Sequence, residues 1–127
     1  MGDLSKNFSR WEFRCRCSKC QFSHQPIVDA GLVNLLQELR DVIGRISLTS
    51  GHRCPEHNAV VGGVPDSYHL IGGAADCHPH DAPLDEAIEM LERILHRRNI
   101  AGGIGRYVDG GVFHIDIRDA QASRWDK

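Results

Sequence analysis

A histidine and an aspartate lie close together in the middle of the chain, in a stretch that could help to bind a metal ion. His69 and Asp76 are seven residues apart, with the pair Gly72-Gly73 between them. Glycines let the backbone turn tightly, so the two side chains could approach each other. The alternative is structural, because an aspartate can simply cap a turn and a lone histidine is commonly packed or solvated.

A second histidine and a second aspartate follow near the end of the chain. His114 and Asp116 lie in a stretch, 112–117, that predicts a strand, and residues two apart on a strand share a face. Two histidines and one carboxylate form a common catalytic zinc set, with water in the open fourth position. Such an ion polarises a carbonyl and lowers the pKa of its water to about 7. The ligand types favour zinc, although they also suit iron(II).

Five cysteines form the other chemically notable set. They are Cys15, Cys17, Cys20, Cys54 and Cys77. An odd number excludes a fully paired disulfide framework within one chain. The first three, with His24 or Cys54, could hold a second, structural zinc ion, form a disulfide after export, or remain thiols. We expect free or partly paired thiols, and we expect Cys77 in the core.

Composition and charge indicate one ordinary globular domain. The chain has 127 residues, 41% of them hydrophobic and 25% charged, with a formal net charge of −2. This charge does not favour nucleic acid as a partner, and no apolar run approaches the ~20 residues that span a bilayer. Residues 1–14 lack the apolar stretch of a signal peptide, so we expect a protein that is cytoplasmic as synthesised. We also expect a monomer.

Two amphipathic helices are predicted. Pro26 is expected to open the first, in which apolar residues recur at helical spacing up to Ile43, and Gly44 to end it. The second is expected over 84–98, with its apolar residues on one face. The segment 55–61 predicts only one or two helical turns.

Short strands make up the rest of the predicted fold. They are expected at 46–49, 74–77, 103–107 and 112–117, and Asp109-Gly110-Gly111 between the last two is a strong hairpin signal. Helices and strands are mixed without regular βαβ alternation, so the predicted class is α+β, with a small, mainly antiparallel sheet and two main helices. We expect one domain over 1–127, with a cysteine-rich N-terminal extension, 1–25, packed on it.

Several motifs resemble one family of peptidases. The spacing Ser-x-His-x-x-Gly-x-Ala-x-Asp over 67–76, followed by His-x-Asp at 114–116, resembles the signature of the zinc D-alanyl-D-alanine carboxypeptidase family. Members are peptidoglycan peptidases that share their fold with the hedgehog signalling domain. Ser-Gly-His-Arg-Cys-Pro-Glu-His-Asn over 50–58 resembles the segment that precedes this signature. The opening Glu-Phe-Arg-Cys at 12–15 and the closing Arg-Trp at 124–125 are similar to small bacterial and phage members.

The resemblance implies a ligand set and two substrate-binding residues. It implies that His69, Asp76 and His114 bind zinc. It also implies that Arg53 binds the substrate carboxylate or carbonyl, which suits a planar and always charged guanidinium. Ser67 is expected to hydrogen-bond substrate or a zinc ligand. Arg53 could instead be a surface residue, and Ser67 could merely cap the turn that follows it.

The general base departs from the family pattern. Many members have an acidic residue three positions before the last zinc histidine, or a histidine two before it, but here these positions are Gly111 and Val112. We therefore predict Asp116 as the catalytic base, with a purely orienting role beside the last histidine as the equal alternative. Asp109 on the hairpin turn and His52 are weaker candidates.

The resemblance also implies an activity. The expected function is zinc-dependent hydrolysis of D-alanine-containing peptide bonds of peptidoglycan, by carboxypeptidase or endopeptidase action. Without a signal peptide, such an enzyme would reach the cell wall after release of the phage endolysin kind. Two alternatives remain open: a non-catalytic zinc-containing module that binds cell-wall peptide or a protein partner, and an interaction protein whose cysteine cluster is the working part.

Overall fold

A computed structural model describes residues 2–127, and it contains a five-stranded sheet with three α-helices. The helices are α1 (Ala30–Ile43), α2 (Pro55–Val60) and α3 (Leu84–Arg98), and the strands are β1 (Ile46–Ser50), β2 (Ala74–Pro79), β3 (Gly103–Tyr107), β4 (Val112–Asp116) and β5 (Ser123–Asp126). Short 3-10 turns lie at Arg10–Phe13, Gln21–Ser23 and Tyr68–Ile71. The predicted α+β class is confirmed. Besides the two main helices, α1 and α3, the structure has a short helix, α2.

The sheet has the strand order β1-β2-β4-β3-β5 and is antiparallel except where β5 runs parallel to β3. The predicted hairpin is present as β3 and β4. The fifth strand was not predicted, because Ser123–Asp126 is a short stretch without apolar alternation, and it pairs only at the edge. Strand β4 is central, and its pairing with β2 places Asp76 directly opposite His114.

The first helix begins later than its sequence predicts. Pro26 does not open α1, which begins at Ala30, because the side chain of Asp29 accepts hydrogen bonds from the backbone N–H groups of Gly31 and Leu32. This is an N-cap, which satisfies donors that the helix itself leaves unpaired. The helix ends before Gly44 as predicted, at a backbone φ of +91°.

The two faces of the sheet have different roles. Side chains alternate along a strand, so neighbouring residues point to opposite faces. On β2 and β4 the apolar alternate residues belong to the core, and these are Ala75, Cys77, Phe113 and Ile115. Helices α1 and α3 pack against each other, and α3 contacts β2, β3 and β4. The opposite face includes three buried polar residues, Asp76, His114 and Asp116.

The N-terminal segment is part of the same core. Phe8 and Phe13 are almost fully buried and contact the cluster of apolar side chains under the sheet. The carbonyl of Phe13 accepts a hydrogen bond of 2.8 Å from the backbone N–H of His52. This segment therefore supports the loop that follows β1. Over the described residues, no helix combines the length and the apolar character that crossing a membrane requires.

Leu39 and Val42 on α1 give a matched test of this packing. Leu39 is fully buried, whereas Val42 is 57% exposed. We expect Leu39→Ala to lower the free energy of unfolding by about 2–5 kcal/mol because it leaves a cavity. We expect Val42→Ala to lower it by no more than about 0.5 kcal/mol. Urea unfolding followed by circular dichroism measures both, and equal losses would contradict this orientation of α1.

Candidate metal centre

Three buried side chains bring their ligand atoms together on the polar face of the sheet. Oδ1 of Asp76 lies 2.9 Å from Nδ1 of His114 and 3.3 Å from Nε2 of His69. One ligand atom from each of the three residues lies within 4.8 Å of the others. The predicted set His69, Asp76 and His114 is therefore brought to one place, although His114 is 38 positions from Asp76 and 45 from His69 in the sequence.

The backbone fixes the position of each ligand. Asp76 and His114 are cross-strand partners on β2 and β4. His69 lies on the 3-10 turn Tyr68–Ile71, and its backbone N–H donates to the hydroxyl of Ser67 at 3.1 Å. Gly72 ends this turn at a φ of +73°, and a Cβ there would lie 2.2 Å from a backbone oxygen of the neighbouring segment. Only glycine fits such a turn, so the backbone geometry explains why the motif has a glycine at position 72.

The ring of His69 is oriented to bind a cation through Nε2. Its Nδ1 lies 2.7 Å from the carbonyl oxygen of Gly51, which can only accept, so Nδ1 holds the proton and Nε2 has a free lone pair. His69 is 2% exposed. Over residues 2–127, its Nε2 is the only buried side-chain nitrogen or oxygen without a hydrogen-bond partner. A buried acceptor without a donor is costly, and a metal ion at this place would satisfy it.

The ring of His114 is oriented in a similar way. Its Nε2 lies 2.8 Å from Oδ2 of Asp116, which leaves Nδ1 to face Asp76. Burial opposes a charge on His114, but the two neighbouring carboxylates outweigh it and raise the pKa of the ring. A metal ion would therefore compete with a proton for the space between His114 and Asp76.

The carboxylate of Asp76 is shared between the ligand set and an arginine. Oδ1 faces the two histidines, while Oδ2 accepts a hydrogen bond of 3.1 Å from the guanidinium of Arg53. Burial opposes ionisation of Asp76, but its contacts with the neighbouring imidazole rings, chiefly that of His114, outweigh it, so its pKa is well below the ordinary range. Asp76 is therefore a permanent anion, as a metal ligand must be.

Arg53 lies at the edge of the centre and is firmly held. Its side chain is 12% exposed, and besides Asp76 it donates to the hydroxyl of Ser50 and to the side-chain oxygen of Asn58, both at 3.1 Å. No hydrogen bond or ion pair joins Arg53 to Glu56, and the side chain is largely buried, so the surface alternative does not describe it. These three hydrogen bonds hold the planar guanidinium in place, so its remaining N–H groups point in a fixed direction.

Asp116 is fully engaged in this structure. Its Oδ2 accepts from both His114 and Arg118, and its Oδ1 accepts from Nε of Arg118 at 2.7 Å and from the backbone N–H of Arg118. Gly103 allows this close packing, because a Cβ there would lie 2.3 Å from Oδ2. Burial opposes ionisation, but Arg118 and His114 outweigh it and hold the pKa of Asp116 well below its usual range. These contacts favour the orienting role over that of a base.

The ligands face an open cleft of about 640 Å³. Predicted residues in its lining include Ser67, which caps the turn before His69, and Asp109, which is exposed on the β3–β4 turn. His52 is not in the lining, and its ring is satisfied: Nδ1 accepts from the backbone of Ile27 and Nε2 lies 3.1 Å from the carbonyl of Leu70. It therefore has no nitrogen left for proton transfer.

Sequence reasoning missed two further groups of the cleft. Arg118 lies two residues after Asp116 and is paired with it, so the strand period could have identified this arginine. Tyr107 and Trp125 form an aromatic wall, where Nε1 of Trp125 lies 3.3 Å from the Tyr107 hydroxyl and the Trp125 ring lies 5.0 Å from that of His114. Trp125 comes from β5, which has no clear signal in the sequence.

The comparison with protein families agrees with this geometry. A family model described as Peptidase M15 matches residues 6–116, which is most of the chain. The chain belongs to the M15 peptidase family, so it is a metallopeptidase by descent, and the resemblance stated from its motifs is confirmed. No curated protein sequence matches the chain. Members of this family are zinc-dependent, and His69, Asp76 and His114 are a group that could bind the metal.

Asp116→Asn tests the orienting role against that of a base. We expect this change to weaken zinc binding by about 10- to 100-fold, because an amide holds the His114 ring less firmly and leaves Arg118 without its partner. Competition with a chromogenic chelator measures the affinity. The control is Asp119→Asn, an exposed change three residues further along. Unchanged zinc affinity together with lost hydrolysis would instead assign Asp116 to proton transfer.

Proposed function

We propose that the protein is a zinc peptidase that hydrolyses D-alanine-containing peptide bonds in the stem peptides or cross-bridges of peptidoglycan. The observation that supports this most directly is the unpartnered, buried Nε2 of His69 opposite Asp76 and His114, at the base of an open cleft. The site combines two imidazoles and one carboxylate, the donor set of catalytic zinc centres. Membership of a peptidase family supports hydrolysis. The substrate class is inferred from the resemblance of the chain's motifs to the D-alanyl-D-alanine carboxypeptidases.

Each side chain of the centre has an assigned role. His69 binds through Nε2 and His114 through Nδ1, because their other nitrogens are held by Gly51 and Asp116. Asp76 supplies the anionic ligand. Bound zinc supplies a Lewis acid for the scissile carbonyl and an acidified water. Arg53 donates hydrogen bonds to the carbonyl oxygen or to a carboxylate of the substrate, and so stabilises negative charge that develops there.

Hydrolysis also needs a proton acceptor in the cleft. Two carboxylates are candidates, Asp116 beside His114 and Asp109 on the turn between β3 and β4. Both oxygens of Asp116 already accept hydrogen bonds, whereas Asp109 is exposed on the cleft wall. The two differ in what their removal does, since loss of a base lowers kcat and leaves the zinc in place, while loss of an orienting group releases zinc.

The walls of the cleft suit a peptide that has both apolar and anionic parts. Tyr68, Tyr107 and Trp125 offer aromatic surface, and Arg53, Arg118 and Lys127 offer positive charge. Arg118 lies over the ring of Tyr68, at 5.2 Å from its centroid. Stem peptides contain methyl side chains and free carboxylates, which match these two kinds of surface.

A second candidate is a zinc-containing module that binds cell-wall peptide without cleaving it. It is favoured by the residues at the two usual base positions, Gly111 and Val112, since neither can transfer a proton. It is also favoured by the complete engagement of Asp116. The two candidates share the metal centre and differ only in turnover.

Hydrolysis of purified muropeptides is the direct test. We expect zinc-loaded protein to release products that mass spectrometry identifies, and we expect chelator to abolish the reaction and added zinc to restore it. His114→Ala should lower the rate by about 100-fold or more, because the ion supplies several kcal/mol of transition-state stabilisation. The control is His96→Ala, an exposed histidine on α3.

The same experiment separates the two candidate functions. If zinc-loaded wild-type protein binds muropeptides and leaves them intact, the peptidase proposal is wrong and the binding module is favoured. The masses of the products also identify the bond, since a carboxypeptidase removes one terminal residue and an endopeptidase divides a cross-linked pair.

Arg53→Lys tests substrate recognition. We expect it to lower kcat/KM by about 10- to 100-fold, the range of one or two hydrogen bonds to a charged group, because lysine lacks the planar fork. Its zinc content must be measured beside the rate, since Arg53 also contacts Asp76. The matched control is Arg93→Lys, on the exposed side of α3. Unchanged kcat/KM in the zinc-loaded Arg53→Lys protein would remove Arg53 from the substrate site.

A further inference from the structure

A second cluster of ligand atoms lies on the side of the N-terminal segment. Sulfur atoms from four of the five cysteines lie within 4.8 Å of one another, and they come from Cys15, Cys17, Cys20 and Cys54. None of the cysteines forms a disulfide. Within residues 2–127 it is Cys54, not His24, that completes the group. Cys77 is separate and fully buried in the core, as its sequence predicts.

We propose that these four thiolates bind a structural zinc ion, distinct from the centre in the cleft. A tetrahedral ion with zinc–sulfur bonds of about 2.3 Å places its sulfurs roughly 3.8 Å apart. The sulfurs of Cys17 and Cys54 are 3.9 Å apart. Cys15 and Cys54 are buried, and the other two are half-buried. Four protein ligands and no open position are typical of structural zinc sites.

The surroundings of the sulfurs suit thiolates. Backbone N–H groups point at three of them: that of Lys19 at Cys17 (3.3 Å), that of Cys54 at Cys15 (3.3 Å) and that of His57 at Cys54 (3.4 Å). Such donors stabilise negative charge on the ligand and orient it. Binding would release the thiol protons to solvent and would leave two net negative charges on the centre.

Positive residues alternate with the cysteines and offset this charge. Arg14, Arg16 and Lys19 lie between or beside the first three cysteines in the sequence. Arg16 donates to the carbonyl of Arg14 and, at 3.2 Å, to that of Leu48, so it is held against the loop rather than free in solvent. The hydroxyl of Ser23 donates to the carbonyl of Cys15 and lies 3.7 Å from the sulfur of Cys17.

A disulfide explains the cluster less well than a metal ion. One disulfide uses two sulfurs and leaves two more buried or half-buried beside it without a role. Two disulfides would pair the four sulfurs at bond length, whereas here the four sulfurs lie within 4.8 Å of one another and none is bonded to another. A single ion uses all four equally. It would also join residues 39 positions apart, which stabilises a small domain by constraining its unfolded chain.

Native mass spectrometry of the full chain, expressed with zinc, tests the proposal by counting metal ions. We expect two zinc ions in the wild type and one in the double variant Cys17→Ser/Cys20→Ser. The control Cys77→Ala should keep two. We expect His114→Ala to keep one, which is the ion bound by the cysteines. These counts do not depend on turnover, so a failure of the peptidase proposal leaves them unaffected.

Cobalt substitution gives a second measurement that needs no cysteine variant to fold. In His114→Ala protein loaded with cobalt(II), we expect intense thiolate-to-cobalt absorption in the near ultraviolet, because only the cysteine site then holds metal. The proposal is overturned if His114→Ala binds no metal. It is also overturned if intact-mass measurement shows these cysteines as disulfides, or if the purified wild type holds iron there instead of zinc.

Discussion

The buried carboxylate of Asp76 is the constraint on which the rest of the structure depends. An ionised group away from water is costly unless it is paired and hydrogen-bonded. Here His69, His114 and Arg53 surround it, and each of them is held from outside by a fixed acceptor: Gly51, Asp116 and Asn58. These acceptors therefore position the side chains of the centre, and they set the tautomer of each histidine before any ion binds.

The sheet makes this arrangement possible in a small domain. Strands β2 and β4 direct alternate residues to opposite faces, so one face builds the apolar core with α1 and α3 while the other presents Asp76, His114 and Asp116. The same two strands thus provide stability and chemistry. A one-residue slip of their register would exchange the two faces, and the core would then contain the carboxylates.

The sequence predicted the fold class, the hairpin, the long helix α3 and the three residues that converge on one point. The helix and the hairpin follow from local sequence patterns, and the three residues follow from a motif whose spacing is specific. The start of α1 was predicted wrongly, because the cap made by Asp29 outweighs the proline signal. Strand β5 could not be predicted, since it depends on long-range pairing at an edge. The strand period could have placed Arg118 on the face of Asp116, but their ion pair depends on side-chain geometry.

The loop after β1 is where the two proposed metal sites meet. Within four residues, the carbonyl of Gly51 accepts a hydrogen bond from Nδ1 of His69, Arg53 contacts Asp76, and Cys54 belongs to the sulfur cluster. So short a segment cannot move at one end without moving at the other, because successive Cα atoms are only about 3.8 Å apart. An ion among the cysteines would therefore do more than stabilise the N-terminal segment. It would fix the position of the arginine and of the carbonyl that orients the first histidine.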